Sequence, residues 1–347
     1  MPTFATSGGC VATNAGPVPL TILTGFLGAG KTTLLTRILR EPHGLRIAVL
    51  VNDFGPINID AELITEVSDD VISLSNGCIC CSIRGDLVDA VERAINSPQR
   101  PDYIVLEASG VAEPAGILAT FADEQLRDRI RLDTLACVVD ASTFLADRDL
   151  TEFKATQAAF ADLLVLNKTD LVPESGMSAI RQWISTRFHR CRVVECQQAD
   201  VPLAILLSAG TLDPRRVSQS SRMQTRCACS TAPCLHSGVL SGTHRQRFAS
   251  WALETDARFL LESVRSVASR LPTGIYRAKG LLRLDDGRRA VLHVVGKRVD
   301  LTVGPATEGA TGGSRIVAIG AHHAWSQDAL YQHFMACAIE EGVTCVA

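Results

Sequence analysis

The sequence predicts an α/β chain in which a mostly parallel sheet with helices comes first and a smaller α+β domain with an antiparallel sheet follows. Short, almost continuously apolar runs recur between residues 20 and 196, as in strands that are buried on both faces. Helical patterns separate these runs, which is typical of β-α-β units with right-handed crossovers. Near residue 200 the pattern changes, and a stretch rich in Ser, Thr, Gly, Arg and Cys follows.

Each element is justified by its own apolar pattern and flanking residues. The strands of the first part are predicted at residues 20–24, 47–51, 71–75, 103–107, 135–139, 163–167 and 191–195. Helices between them are predicted at residues 31–41, 83–96, 115–128 and 175–188. The second part is predicted to hold strands near 246–253, 275–284, 289–296, 298–303 and 315–320, and helices at 256–270 and 326–340. The expected organisation is a disordered lead-in (1–18), a first domain (19–207), a linker or long loop (208–245) and a second domain (246–347).

Composition excludes several functional classes. A chain of 347 residues exceeds the size at which one core keeps growing, which favours two domains. A net charge of −3 argues against a nucleic-acid surface. No apolar run approaches the ~18–20 residues of a membrane span, and the first residues lack the pattern of a signal peptide, so we expect a cytoplasmic protein. The 12 cysteines are then expected to be reduced, and clustered ones become metal or redox candidates.

A glycine-rich segment matches the phosphate-binding pattern G-x-x-x-x-G-K-[ST]. Its glycines allow successive backbone N–H groups to point at phosphate oxygens, and the helix that follows aims its N-terminus at the same anions. Lys31 supplies positive charge near the β- and γ-phosphates, and Thr32 offers a hydroxyl to Mg²⁺. The alternative is a simple glycine-rich turn that opens a helix. The predicted phosphate-binding residues are Gly25, Gly28, Ala29, Gly30, Lys31, Thr32 and Thr33.

The motif Asn167-Lys168-Thr169-Asp170 follows a predicted strand, and in a P-loop protein N-K-x-D at this place recognises guanine. The carboxylate of Asp170 can accept from the two donors of the guanine edge, which adenine lacks. The aliphatic part of Lys168 can cover the base. The alternative is a polar loop in a protein that binds another nucleotide.

Acidic residues end two other predicted strands. Glu107 ends one of them, where it can hold Mg²⁺ directly or through water, and Asp53 follows another as a second candidate. The N–H of Gly110 is placed to sense the γ-phosphate. Glu113 is a further candidate for positioning water. The alternative for the two strand-end acids is a hydrogen-bonding role in a loop.

Two cysteine clusters are candidate metal sites. Cys78, Cys80 and Cys81 form a C-x-C-C triplet before a predicted helix, where thiol pKa values fall and metal binding is favoured. Three sulfur ligands leave an open position on a tetrahedral ion, as in exchangeable sites. A redox pair is the alternative. A looser set of three cysteines and one histidine lies in the linker: Cys227, Cys229, Cys234 and His236. The alternative is that these residues are scattered through a disordered segment.

The chain resembles the CobW-like family of P-loop GTPases in five motifs and in their order. These motifs are GFLGAGKTT, VNDFG-x-x-N-I-D, NGCICC, LEASG-x-A-E-P and NKTD. The later stretch YRAKGLL…VLHVVGKR resembles that family's C-terminal domain. The resemblance implies a GTPase that handles zinc, cobalt or a related ion, with the cysteine triplet as its metal motif. It also implies a switch region over residues 49–60. Many members carry a His-rich loop between the domains, where this chain has the Cys/His cluster.

These observations predict a GTP-hydrolysing metallochaperone with GTP, Mg²⁺ and Zn²⁺ or Co²⁺ as ligands. Lys31, Asp53 and Glu107 are its predicted catalytic residues. The expected partner is a client metalloprotein or metal-inserting enzyme, with homo-oligomers that depend on nucleotide or metal, and no nucleic acid or membrane. One alternative is a zinc-regulated switch that binds partners without delivering metal. A small-molecule kinase with a structural zinc is another, and NKTD argues against it.

Overall fold

The computed structural model describes nine stretches of the chain. They are residues 16–41, 43–51, 71–73, 83–122, 124–146, 148–189, 191–207, 248–304 and 313–339. No helix within those stretches combines the length and the apolar character that crossing a membrane requires. The predicted linker at 208–245 lies outside them, as does most of the predicted lead-in.

Within the described stretches the first sheet has seven strands, all parallel, which confirms the predicted α/β class. Its strands are β1 (Val18–Thr24), β2 (Ile47–Val51), β3 (Val71–Ser73), β4 (Tyr103–Glu107), β5 (Ile130–Asp140), β6 (Leu163–Asn167) and β7 (Arg192–Glu195). Their spatial order is β3-β2-β4-β1-β5-β6-β7, and every neighbouring pair is parallel. All residues of β2, β4 and β6 are buried, as their continuous apolar runs predict. β1 begins at Val18, two residues earlier than predicted and inside the predicted lead-in.

Helices cover both faces of this sheet. They are α1 (Lys31–Arg40), α2 (Ile83–Ile95), α3 (Pro114–Phe121), α4 (Arg148–Ala158), α5 (Glu174–Arg187) and α6 (Leu203–Leu206). Side chains of α2, α3 and α5 pack with one face of the strands, and those of α1 and α6 pack with the other. The pattern predicted α1, α2 and α5 to within a residue at each end. It extended α3 beyond Phe121 and missed α4.

Among the described residues the second sheet has five strands, paired antiparallel as predicted. They are β8 (Phe248–Thr255), β10 (Ile275–Arg283), β11 (Arg289–Val295), β12 (Arg298–Val303) and β13 (Ser314–Ala321), in the order β12-β11-β10-β13-β8. Two helices, α7 (Leu261–Ser269) and α8 (Gln327–Met335), pack on this sheet. The stacked rings of Trp251 and Phe334, 5.8 Å apart, belong to the core between sheet and helices.

Two predicted helices are too long, and one small sheet explains both errors. β9 (Arg258–Phe259) takes the start of the predicted 256–270 helix, and β14 (Ala338–Ile339) takes the end of the predicted 326–340 helix. The two pair with each other antiparallel, and Phe259 is fully buried. Because the partners are distant in sequence, local periodicity does not reveal the pairing.

A buried ion pair joins the two sheets. The guanidinium of Arg277, on β10, donates to the carboxylate of Asp133, on β5, and their side chains are 0% and 1% exposed. Arg277 also donates to Thr134 Oγ1 at 3.1 Å and to the carbonyl of Ile205 at 3.0 Å. The hydroxyl of Tyr103 donates to the same carboxylate. Burial raises the pKa of Asp133, but the charges of Arg277, Arg131 and Lys279 and the hydrogen bond from Tyr103 together outweigh it and hold that pKa well below its usual range.

Contacts between the sheets gather at the amino-terminal ends of the parallel strands. Arg298 forms an ion pair of 2.9 Å with Asp162, which immediately precedes β6. Arg192, the first residue of β7, donates to the carbonyl of Leu271 at 3.0 Å. The second sheet therefore leaves the opposite edge of the parallel sheet, where the strands end, open for loops.

Replacing Arg277 with Met should lower the free energy of unfolding by about 3–5 kcal/mol, because the buried carboxylate of Asp133 loses its main counter-charge. Urea unfolding at neutral pH measures the difference. The control is Arg315→Ala, which removes an ion pair of 2.9 Å with Glu254 on the surface and should cost less than about 1 kcal/mol. Equal stability of the two variants would contradict a structural role for the buried pair.

Candidate functional site

The loop between β1 and α1 has the backbone of a phosphate cradle. Gly25, Gly28 and Gly30 have φ values of 129°, 72° and 106°, a region that side chains disfavour. A Cβ atom on Gly25 would lie 2.0 Å from the carbonyl oxygen of Val138, and one on Gly30 would lie 2.5 Å from Nδ2 of Asn167. Two of the motif glycines are therefore required by space as well as by backbone conformation.

Lys31, Thr32 and Glu107 meet at the start of α1. Lys31 is the first residue of the helix, whose first turn carries no acidic residue, so its N-terminal partial charge favours an anion. The ammonium of Lys31 donates to the carbonyl of Phe26 at 3.3 Å, within the loop. Thr32 Oγ1 donates to Oε1 of Glu107 at 2.8 Å, and Glu107 is buried at the end of β4. A hydroxyl and a carboxylate oxygen this close are ligands that fit Mg²⁺.

An open cleft of about 270 Å³ collects most of the predicted phosphate-binding residues. The last residue of β2, Val51, also lines the cleft, whereas the next predicted acid, Asp53, lies outside the described residues. Glu113 is exposed immediately before α3. The lining residues predicted from sequence are Gly28, Gly30, Lys31, Thr32, Thr33, Glu107 and Gly110.

Asn167, at the end of β6, joins two loops instead of facing the cleft. Its side chain is buried, donates to the carbonyl of Ala29 at 3.0 Å and accepts from the N–H of Ala199 at 2.8 Å. Lys168 follows with a left-handed backbone, φ 60°. Asp170 lies exposed in the short 3-10 turn that comes next, so its carboxylate is accessible to a ligand.

Asp140, at the end of β5, fixes the Lys168 side chain. The ammonium of Lys168 lies 2.6 Å from Oδ2 of Asp140, and the N–H and hydroxyl of Ser142 donate to Oδ1 at 2.9 Å and 2.6 Å. Partial burial raises the pKa of Asp140, but the bonds from Lys168 and Ser142 outweigh it and hold that pKa below its usual value. The Lys168 stem is thereby held over this end of the sheet.

The loop after β7 contributes to the site although no sequence motif predicts it. Gln198 and Ala199 both have positive φ, at 49° and 55°, which is uncommon for residues with a side chain. Arg37 of α1 donates to the carbonyl of Gln198 at 2.9 Å, and Thr169 Oγ1 donates to the carbonyl of Cys196 at 3.1 Å. This loop borders the N-K-x-D turn. In the sequence, this loop could have been found from its position after a buried strand, because the other site loops also follow buried strands of the same sheet.

The predicted metal ligands lie outside the described residues. They are Cys78, Cys80 and Cys81 in the triplet, and Cys227, Cys229, Cys234 and His236 in the linker. In the part of the chain that the structure does describe, no three His, Cys, Asp or Glu side chains gather closely enough to hold a metal ion. Cys137 is buried in β5 and belongs to the core.

Two family models match this chain. The CobW/HypB/UreG nucleotide-binding domain matches residues 19–194, just over half of the chain, and the cobalamin synthesis protein cobW C-terminal domain matches residues 248–338. The E. coli YjiA GTPase, solved in a Zn(II)-bound form, aligns over 93% of this chain and 99% of its own with 25% identity and a TM-score of 0.43.

Similar proteins carry names that refer to zinc. A Sinorhizobium protein named zinc chaperone CobW is 36% identical over 57% of this chain, and the match spans 64% of its length. A Dictyostelium discoideum protein named zinc-regulated GTPase metalloprotein activator 1 is 35% identical over 58% of this chain, and the match spans half of its length. The Schizosaccharomyces pombe protein of that name is 32% identical over 78% of this chain and 73% of its own. With both family models matched in sequence order, the chain belongs to the CobW family.

Proposed function

We propose that this protein is a GTP-hydrolysing metallochaperone that binds a divalent metal, zinc or cobalt, and delivers it to a client protein. The observation that carries the proposal is the contact of 2.8 Å between Thr32 and Glu107 in a cleft walled by the glycine-rich loop. This arrangement suits a nucleoside triphosphate with its Mg²⁺. The names of the relatives from Sinorhizobium and Dictyostelium support the metal part.

In this proposal the chain contributes mainly positioning and charge. The backbone N–H groups of the loop and the N-terminus of α1 hold the phosphates, and the ammonium of Lys31 stabilises the charge that develops during hydrolysis. Thr32 and Glu107 would hold Mg²⁺, which when bound would neutralise part of the phosphate charge. Gly110 lines the same cleft and would sense the γ-phosphate.

Recognition of guanine is assigned to Asp170, which would accept from both donors of the base. The exposed position of this carboxylate and the fixed Lys168 side chain support the assignment. The strained loop at residues 197–199 borders the same turn, and Asn167 holds it against the phosphate loop. A single buried amide therefore connects the phosphate side of the site with the base side.

The metal is the cargo, and Cys78, Cys80 and Cys81 are its proposed ligands. Three thiolates match zinc and cobalt and leave one position open for exchange with a client. In the sequence the triplet follows β3, which is the outermost strand on one side of the parallel sheet. The phosphate loop follows β1 of the same sheet. We further propose a client metalloprotein or metal-inserting enzyme as partner, and homo-oligomers that depend on nucleotide or metal.

The protein should bind GTP at least tenfold more tightly than ATP, a difference of about 1.4 kcal/mol. Asp170→Asn should shift the preference toward xanthine nucleotides, because the amide can donate to the added oxygen of that base. Competition binding with the three nucleotides measures both effects. The control is Glu174→Gln, which removes a nearby exposed carboxylate and should leave the preference unchanged. Equal affinity of the unaltered protein for GTP and ATP would contradict guanine recognition.

Lys31→Ala should lower the rate of GTP hydrolysis by about 100-fold or more, because a preorganised charge is lost at the transition state. The fold should persist, since the side chain points into the loop. Phosphate release under single-turnover conditions gives the rate, and Arg40→Ala, at the exposed end of the same helix, is the control. Turnover by Lys31→Ala at the rate of the control would show that this loop is not the hydrolytic site.

Metal and nucleotide affinity should be coupled, with zinc affinity differing by a factor of about 5–150 between a non-hydrolysable GTP analogue and GDP. Coupling is reciprocal, so zinc should change the affinity for the GTP analogue relative to GDP by the same factor. Competitive zinc titration measures it. Replacing Cys78, Cys80 and Cys81 with Ser should remove the high-affinity site, while the same change at Cys227, Cys229 and Cys234 isolates the linker cluster. Zinc affinity that is identical with both nucleotides would rule out delivery driven by hydrolysis.

A further inference from the structure

Helix α4 turns a polar face toward the loops of the candidate site. Its buried residues include Thr151, Lys154 and Gln157, spaced three apart, so all three lie along one side of the helix. Thr151 donates to the carbonyl of Phe144 at 2.7 Å, and Lys154 donates to the carbonyl of Thr143 at 2.7 Å. Both acceptors lie in the segment that follows β5. The polar face of α4 therefore forms hydrogen bonds with the loop backbone, whereas an apolar face would pack into the core.

Gln157 is the member of this set that reaches the candidate γ-phosphate segment. The residue is 1% exposed, and its Nε2 donates to the carbonyl of Gly110 at 3.0 Å and to that of Ala112 at 3.2 Å. Within the described residues its Oε1 has no hydrogen-bond partner. The opposite orientation of the amide would set an oxygen against two carbonyl oxygens, so the donor side must face the segment.

On the side away from Gln157, the turn at Gly110 packs closely against the phosphate loop. A Cβ atom on Gly110 would lie 2.8 Å from the backbone nitrogen of Leu27, in the phosphate loop. Ala112 donates from its N–H to the carbonyl of Ser109 at 3.0 Å, which closes a tight turn. The turn is thus packed between the phosphate loop and α4, and Gln157 provides the side-chain hydrogen bonds from α4.

We propose that Gln157 is a positioning residue that fixes the Gly110 turn at the γ-phosphate end of the cleft. The inference rests on the proposed GTPase function for its effect on rate, whereas the anchoring itself does not depend on any nucleotide. Both hydrogen bonds from the Gln157 amide go to the turn, so their loss frees the turn and removes no hydrogen bond from the loop that holds the α- and β-phosphates. Hydrolysis of GTP therefore depends on Gln157, and binding of GDP does not.

Three variants of the full chain separate this role from general packing. Gln157→Met keeps the length of the side chain and removes both donors. Gln157→Glu keeps the shape but presents carboxylate oxygens to two carbonyls, so its effect should be at least as large. The matched control is Thr156→Ala, one residue away on the exposed side of the same helix.

The first measurement is backbone hydrogen exchange at residues 110–112 without nucleotide, which should become about tenfold faster or more in both Gln157 variants. The second compares rate and affinity: kcat for GTP should fall about 10- to 100-fold, while Kd for GDP stays within about twofold. Thr156→Ala should match the unaltered protein in all three values.

Exchange and kcat that are both unchanged in Gln157→Met would overturn the proposal. So would losses of GDP affinity and kcat by the same factor, since that result indicates a general packing role. If the unaltered protein hydrolyses no GTP, the proposed function fails instead, and the exchange measurement still decides whether Gln157 anchors the turn.

Discussion

Seven strands that run in one direction place all of their carboxyl ends at one edge of the sheet, and the candidate site follows from this constraint. The phosphate loop leaves β1, Glu107 ends β4, Asp140 ends β5 and Asn167 ends β6. Parallel strand pairing brings these residues together although they are far apart in the sequence. The second sheet contacts the opposite ends and leaves this edge accessible.

Buried amides and charges then hold the loops of that edge in place. Asn167 links the phosphate loop to the strained turn after β7, and Gln157 ties the Gly110 turn to α4. Each of these side chains satisfies backbone groups that would otherwise be buried without partners, which is costly in a protein interior. The rigidity of the site thus depends on side chains outside the cleft as much as on those that line it.

The sequence predicts those elements whose pattern lies in neighbouring residues, and it does not predict those that depend on contacts between distant residues. Apolar runs predicted all seven parallel strands, because a strand buried on both faces must be apolar throughout. Helix α4 was missed because its buried face carries Thr151, Lys154 and Gln157 and so has little apolar periodicity. The β9–β14 pair was missed because the two strands are distant in sequence.

The same distinction holds for the site. Contiguous motifs predict Lys31, Thr32 and Asp170 as site residues, since each motif consists of a few neighbouring residues. The role of Asn167 as a link to Ala199 is set by the packing of β6 against β7, and the turn at Gln198 carries no motif of its own. Three-dimensional contacts were needed to find both.

The buried pair of Arg277 and Asp133 also bears on how proteins of this architecture can be recombined. A nucleotide-binding sheet that is covered by a second sheet without this arginine would bury the Asp133 carboxylate without its main counter-charge, and only the weaker pair with Arg131 at 3.3 Å on the same strand would remain. A hybrid that takes the second sheet from a relative must therefore bring a matching cation, or exchange Asp133 for an uncharged residue at the same time. The ion pair therefore makes each half depend on the other, although each has its own sheet.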